Sequence, residues 1–219
     1  MIIPYLSADY YVLGEGEETI IALLDKLSNK ESIEKIQGIA WREGLDVKKA
    51  TPTAPILDLD GLPFPDREVL NFHKYKRYFA TGFPLHYTAH LIASRGCPLN
   101  CTFCNPVFGR KVRIRSAENI HEEMKYLHKD FNCCFFFFHD EVMLGGAKKN
   151  VIKFCEYVLS QKKMPFHWAG TTNASMLDLK TLDLMKRAGC IRISFGLESG
   201  SPTILKEMKK KTTWNRHSN

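Results

Sequence analysis

An α/β fold organised around a parallel sheet is the class this sequence predicts, and three observations predict it. From about residue 87 onward, short strand-like runs alternate with amphipathic helical stretches. The strand starts fall near residues 87, 133, 166 and 191, so the steps are about 46, 33 and 25 residues, the scale of a βα repeat. Cys133–Phe138 reads CCFFFF, the continuous apolar run expected of a strand covered on both faces. Periodicity alone is compatible with a barrel and with an open doubly wound sheet.

The elements follow in order. Residues 9–13 (DYYVL) predict a short strand. Gly14 to Gly16 is a turn, and residues 17–27 form a helix on Ile20, Ile21, Leu23, Leu24 and Leu27. The G-x-G in that turn has two glycines of a dinucleotide fingerprint but not the third, so it reads as a strand-to-helix turn. Residues 36–41 and 45–48 predict a hairpin about Glu43 and Gly44. Pro52, Pro55, Pro63 and Pro65 make residues 51–66 an extended connector. Residues 87–94 are then a strand, and 117–129 a helix capped by Ser116. After Cys133–Phe138 come a helix at 147–161, a strand at 166–169 and a helix at 177–188 stopped by Gly189. A strand at 191–196 and a helix at 202–209, capped by Ser201, complete the series.

Composition excludes several functions. Charged residues are 25% and aromatics 11% of 219, which is globular usage and not that of a disordered chain. No apolar run approaches the ~18 residues of a membrane span. The first eight residues lack the basic and apolar regions of a secretory signal, so a cytoplasmic location is expected. Of the net charge of +7, residues 206–219 carry +4, through Lys206, Lys209, Lys210, Lys211 and Arg216 against Glu207. That placement reads as a solvated tail and not as a nucleic-acid surface.

The chemistry is concentrated in cysteine. Three of the seven lie within eight residues, Cys97, Cys101 and Cys104, in the segment ASRGCPLNCTFC. In a reducing compartment such a cluster reads as metal ligands or catalytic groups. A structural zinc site takes four ligands, and the nearest extra donors, His121 and His128, are expected to be solvated on a helix surface. A plant-type two-iron site takes C-x4-C-x2-C and a distant fourth cysteine, whereas the spacing here is C-x3-C-x2-C. Cys133 and Cys134 sit in an apolar strand and read as core. Three ligands without a fourth are what the loop offers.

With Phe103, these cysteines spell C-x3-C-x-aromatic-C after the first strand of the βα series. In this the sequence resembles the radical SAM superfamily. Residues 57–68 (LDLDGLPFPDRE), 92–98 and 168–205 resemble the members that carry an N-terminal cobalamin-binding domain, a group including cobalamin-dependent methyltransferases and anaerobic cyclases. The resemblance implies a partial (βα)6-type, TIM-like barrel of about four βα units at 82–210, followed by a tail at 211–219. Ahead of it the resemblance implies a Rossmann-like remnant at 1–30, the end of a cobalamin domain, and a hairpin and linker at 31–81.

The resemblance also implies an activity. Cys97, Cys101 and Cys104 hold a [4Fe–4S] cluster whose fourth iron takes the amino and carboxylate groups of S-adenosylmethionine (SAM). Reduction by a partner such as flavodoxin or ferredoxin then cleaves SAM to a 5′-deoxyadenosyl radical, which acts on a substrate the sequence does not identify. Phe103 belongs to the cofactor site. Asp140 and Glu141 are expected to face the SAM ammonium. Thr172 and Asn173, at the end of the third strand, are hydrogen-bonding candidates. Glu198 and Ser199, in Gly196-Leu-Glu-Ser-Gly200, are implied contacts to the SAM ribose or amino-acid end, although Ser199 also suits a helix cap.

Two departures limit what the resemblance implies. The cobalamin-ligand motif Asp-x-His-x-x-Gly is missing from the sequence, so cobalamin is not an expected cofactor of this chain. Four strands are read where the family builds six, so a truncated or split member with an exposed hydrophobic sheet edge is expected. A non-catalytic iron–sulfur or zinc module, or an inactive fragment, is the competing expectation.

Overall fold

A computed structural model describes residues 8–75, 77–78, 87–162 and 166–210. The tail expected at 211–219, the barrel start at 82–86 and residues 1–7 lie outside the described residues. The chain divides into two units, 1–57 and 58–219.

In the first unit, β1 (Tyr10–Val12) pairs antiparallel with β2 (Ile39–Glu43), which pairs antiparallel with β3 (Asp46–Lys49). Between β1 and β2 runs α1 (Glu17–Ser28), with Glu17 and Glu18 in its first turn and Lys26 in its last, the charge order a helix dipole favours. Ile39 and Ala40 are fully buried, and α1 turns Leu23 inward. The strand at residues 9–13 and the hairpin, expected as parts of two different segments, thus share one sheet.

The second unit holds a five-stranded sheet. Strands β5 (Tyr87–Leu91), β8 (Cys133–Phe138), β9 (His167–Thr172) and β10 (Cys190–Phe195) are parallel and adjacent in chain order. At the β5 edge lies β4 (Arg77–Tyr78), antiparallel. Because the parallel order never reverses, the sheet has no switch point of the doubly wound kind. The expected first strand is shorter than residues 87–94. It ends at Leu91, and β6 (Ser94–Arg95) then pairs with β7 (Arg113–Ile114) in a separate ribbon, which the sequence pattern did not reveal.

Helices α2 (Ala117–Phe131), α3 (Lys148–Ser160) and α4 (Leu179–Arg187) alternate with the strands. Ser116 caps α2 by accepting from the Asn119 amide at 3.0 Å. Asp178 caps α4, and Ser201 caps α5 (Pro202–Glu207). The core between helices and sheet is aromatic. Phe138, Phe154 and Trp168 meet edge to face with centroids 5.6–5.7 Å apart. Each contributes roughly 2–3 kcal/mol by burial. The Trp168 indole also donates to the Ala188 carbonyl at 2.8 Å.

The CCFFFF strand carries buried side chains on both faces, Cys133 and Phe135 on one and Phe136 and Phe138 on the other, while Cys134 and Phe137 are half-buried. One expectation is corrected here. His121 and His128 are not solvated. His121 is 4% exposed between the Tyr157 and Phe166 rings, and burial pushes its pKa down, keeping it neutral. His128 packs on Phe166 and bonds the Cys133 carbonyl through Nδ1 at 2.9 Å. They line the buried side of α2, because the helix face they share is the one turned to α3 and β8.

Within the second unit, Asp60 and Arg67 are held by polar contacts. The Asp60 carboxylate accepts from the Ser116 amide at 2.9 Å. Arg67 donates to the His90 carbonyl at 3.0 Å and stands 3.5 Å from Glu123. Arg115 meets the other oxygen of Glu123 at 2.5 Å and donates to the Ile92 carbonyl. Glu123 is 1% exposed, so this carboxylate is buried between two guanidiniums.

Candidate functional site

The cysteine loop begins where β6 ends. Gly96 has φ +92, and a Cβ there would stand 2.3 Å from the Lys111 carbonyl oxygen. Only glycine lets the loop pass so close to residues 111–112. The Cys97 amide donates to the Gly109 carbonyl at 3.0 Å, and the Cys104 amide to the Cys101 carbonyl at 3.3 Å. Arg110 closes the loop by donating to the carbonyls of Leu99 and Cys104. Thr102 donates its amide to the Met208 carbonyl at 3.0 Å, which ties the loop to the end of α5.

All three loop cysteines are free thiols; Cys97 and Cys101 are buried and Cys104 is exposed. Burial pushes the Cys97 thiol pKa up, and the neighbouring Cys104, Glu141 and Cys101 add to that by charge repulsion. The three thiols and Glu141 therefore share one electrostatic neighbourhood. Among the described residues, however, no three Cys, His, Asp or Glu side chains are gathered at metal-ligand positions. The donor chemistry is nonetheless selective. Three thiols with no fourth protein ligand fit a cubane cluster with one open iron better than a four-ligand structural zinc. The remaining cysteines are unlike these. Cys155 and Cys190 have thiols pushed up to about 12 by burial, so they stay protonated in the core.

The acidic pair splits into two roles. Asp140 is 7% exposed and both its oxygens are taken. Oδ1 accepts from the Ala93 amide at 2.7 Å, and Oδ2 from the Ser94 hydroxyl at 2.6 Å and the Leu144 amide at 2.8 Å. Burial pushes its carboxyl up to about 6, and these hydrogen bonds hold it from rising further. Glu141 points the other way. Its Oε1 accepts from the Phe108 amide at 3.2 Å, while its Oε2 is buried without a hydrogen-bond partner. An unpaired buried carboxylate oxygen is costly unless a cationic or hydrogen-bonding ligand meets it.

The other expected residues fall at strand ends. Asn173, 2% exposed, follows β9, and its Oδ1 accepts from the Ser175 amide and hydroxyl. Thr172 is buried beside it. Ser199 accepts from the Ser201 amide at 3.1 Å, and the helix cap falls to Ser201, not to Ser199. Glu198 has φ +61 and pairs with Lys210 at 2.9 Å. The Phe103 ring is 55% exposed, with the Lys210 ammonium 5.8 Å from its centroid. Lys210, expected in a solvated tail, has a side chain only 9% exposed.

Sequence reasoning missed Ser94, Arg110 and Lys210. None carries a local signature, since each acts on a partner remote in the chain or on a backbone carbonyl.

Residues 91–217 match the radical SAM superfamily. The chain is 31% identical over 207 residues to an uncharacterized methyltransferase of Pyrococcus horikoshii, covering 94% of this chain and 43% of that one. It is 31% identical over 223 residues to the anaerobic magnesium-protoporphyrin IX monomethyl ester cyclase of Rubrivivax gelatinosus, covering 96% and 38%. The chain thus spans less than half the length of these relatives. Among solved structures, OxsB, a cobalamin-dependent SAM radical enzyme seen with aqua-cobalamin and SAM bound, superposes with a TM-score of 0.71 at 25% identity, covering 91% of this chain and 29% of OxsB. Among the described residues no helix is long and apolar enough to cross a membrane. With its three-cysteine loop standing after the first of four parallel strands, the chain belongs to the radical SAM superfamily.

Proposed function

We propose that this chain forms the cluster- and SAM-binding part of a radical SAM enzyme, built on four βα units of a partial TIM-like barrel. The observation that carries this is the unpaired Oε2 of Glu141 in the same electrostatic neighbourhood as the three free thiols. Cys97, Cys101 and Cys104 would hold a [4Fe–4S] cluster. When bound and reduced, that cluster supplies the electron that cleaves SAM to methionine and a 5′-deoxyadenosyl radical.

Each of the chain's own residues then has a task. Glu141 accepts the SAM ammonium, supplying the partner its own oxygen lacks. Asp140, with both oxygens engaged, positions the turn that carries Glu141. Glu198 is already neutralised by Lys210, so it suits the ribose hydroxyls, which donate without charge, better than a second cation. Asn173 and Ser199 shape the strand ends beside it, and Phe103 offers a ring face. A flavodoxin- or ferredoxin-like donor would reduce the cluster. Cobalamin is not assigned to this chain, which lacks the ligand motif. The strand-turn-helix order of β1 and α1 is all that supports a Rossmann-like remnant at 1–30. The substrate class is left open between methyl transfer, ring formation and other radical chemistry.

The test is anaerobic reconstitution with iron and sulfide, followed by dithionite and SAM. Release of 5′-deoxyadenosine is expected. Iron uptake without SAM cleavage would reduce the chain to an iron–sulfur module, and zinc uptake without iron would overturn the reading.

A further inference from the structure

The cysteine loop is held from a distance by Met208 and Lys210, just after α5. The chain leaves that helix through Lys209, a left-handed residue with φ +52, and the Lys210 amide returns to the Leu205 carbonyl at 2.9 Å. This reversal turns the Lys210 side chain back toward the loop. Its ammonium meets Glu198 at 2.9 Å and stands 5.8 Å from the Phe103 centroid, cation–π range. Two residues before Lys210, the Met208 carbonyl accepts from the amide of Thr102, the neighbour of Phe103. Glu198 is itself left-handed, a conformation a non-glycine residue keeps only when its surroundings enforce it. Gly196 makes the arrangement possible, since a Cβ there would stand 2.4 Å from Glu198 Oε1 and 3.1 Å from Lys210 Nζ.

We propose that Lys210 is a positioning residue, a latch that holds the Phe103 side of the cysteine loop and the Glu198 carboxylate in register with each other. The argument is one of charge and enclosure. Lys210 has a side chain 9% exposed, so its ammonium depends on Glu198 for its counter-charge and on the ring face for a further electrostatic contact. One cation thereby joins the two segments that the functional reading assigns to the cofactor. The inference rests on that reading only for its consequence in SAM binding; the latch itself is a property of the bare chain.

The experiment is hydrogen exchange by mass spectrometry on the 219-residue chain, without cluster, comparing wild type with Lys210→Met, Lys210→Arg and Glu198→Gln. Lys210→Met and Glu198→Gln should each speed exchange at residues 100–105 and 196–199 by roughly tenfold, the scale of one lost charged hydrogen bond. Exchange in α2 and α3 should stay unchanged, and Lys210→Arg should restore protection. After reconstitution, the electron paramagnetic resonance spectrum of the reduced cluster with SAM should differ in Lys210→Met and return in Lys210→Arg. Unchanged exchange in the loop, failure of arginine to restore it, or loss of protection throughout α2 and α3 in both variants would overturn the latch. A wild-type chain that takes up no iron defeats the cofactor reading while the exchange arm still decides the latch.

Discussion

The Ser94 hydroxyl donates to the Asp140 carboxylate at 2.6 Å and accepts from the Gly145 amide at 2.8 Å. A single buried side chain, 1% exposed, thus ties the entry of the cysteine loop to the turn that follows β8. The turn is Met143–Gly146, and Leu144 within it has φ +52, so it needs these external bonds to keep its shape.

Ser94→Ala should therefore destabilise the sheet unit by about 2–3 kcal/mol, because two buried partners lose their mate at once. Urea midpoints at constant m-value would show it. Combined with Asp140→Asn, the loss should be less than additive, since both changes cut the same network.

Asp140 also sets a pH dependence. Its carboxyl is pushed up to about 6 in the folded protein, above the ordinary value of 3.8. The folded state therefore binds this proton more tightly than the unfolded chain. The stabilisation is complete below about pH 4 and is lost as pH rises through about 6. The shift corresponds to roughly 3 kcal/mol. The stability difference between wild type and Asp140→Asn should accordingly widen by up to that amount between pH 7 and pH 4, as measured by denaturant unfolding at each pH.

Gly96→Ala places a methyl group 2.3 Å from the Lys111 carbonyl oxygen at φ +92. Neither the β6–β7 ribbon nor the loop can give way without moving Cys97, the next residue. We expect a loss of roughly 3 kcal/mol, and iron uptake reduced well below wild type. Equal iron uptake in the two proteins would show that the close approach is not needed for the cysteine loop.

The parallel strands, their helices and the three cysteines were readable because their signals are local. Cys133–Phe138 is wholly apolar, the helix faces repeat at helical spacing, and the cysteines lie within one turn of loop. The residues that shape the site were not readable, because topology chooses their partners. Asp140 meets Ala93 across 47 positions, and Ser94 reaches Gly145 across 51. Glu123 looks like any helix-surface acid until Arg67 and Arg115 converge on it. His121 and His128 misled for the same reason. A seven-residue spacing on a helix marks one face, and only the packing of α3 and β8 shows that the face is buried. Asp140 and Glu141 looked like a pair in sequence, but the chain turns them in opposite directions, one toward the scaffold and one toward the loop.

On the proposed function, Cys97, Cys101 and Cys104 together hold a cluster with one iron left open to SAM. Electron paramagnetic resonance of the anaerobically reconstituted, dithionite-reduced chain tests it most directly, recorded with and without SAM and alongside Cys101→Ala and Cys155→Ala. A [4Fe–4S]⁺ signal that changes when SAM is added is expected in wild type and in Cys155→Ala, and no signal in Cys101→Ala. A cluster retained in Cys101→Ala, or a wild-type signal indifferent to SAM, would contradict it.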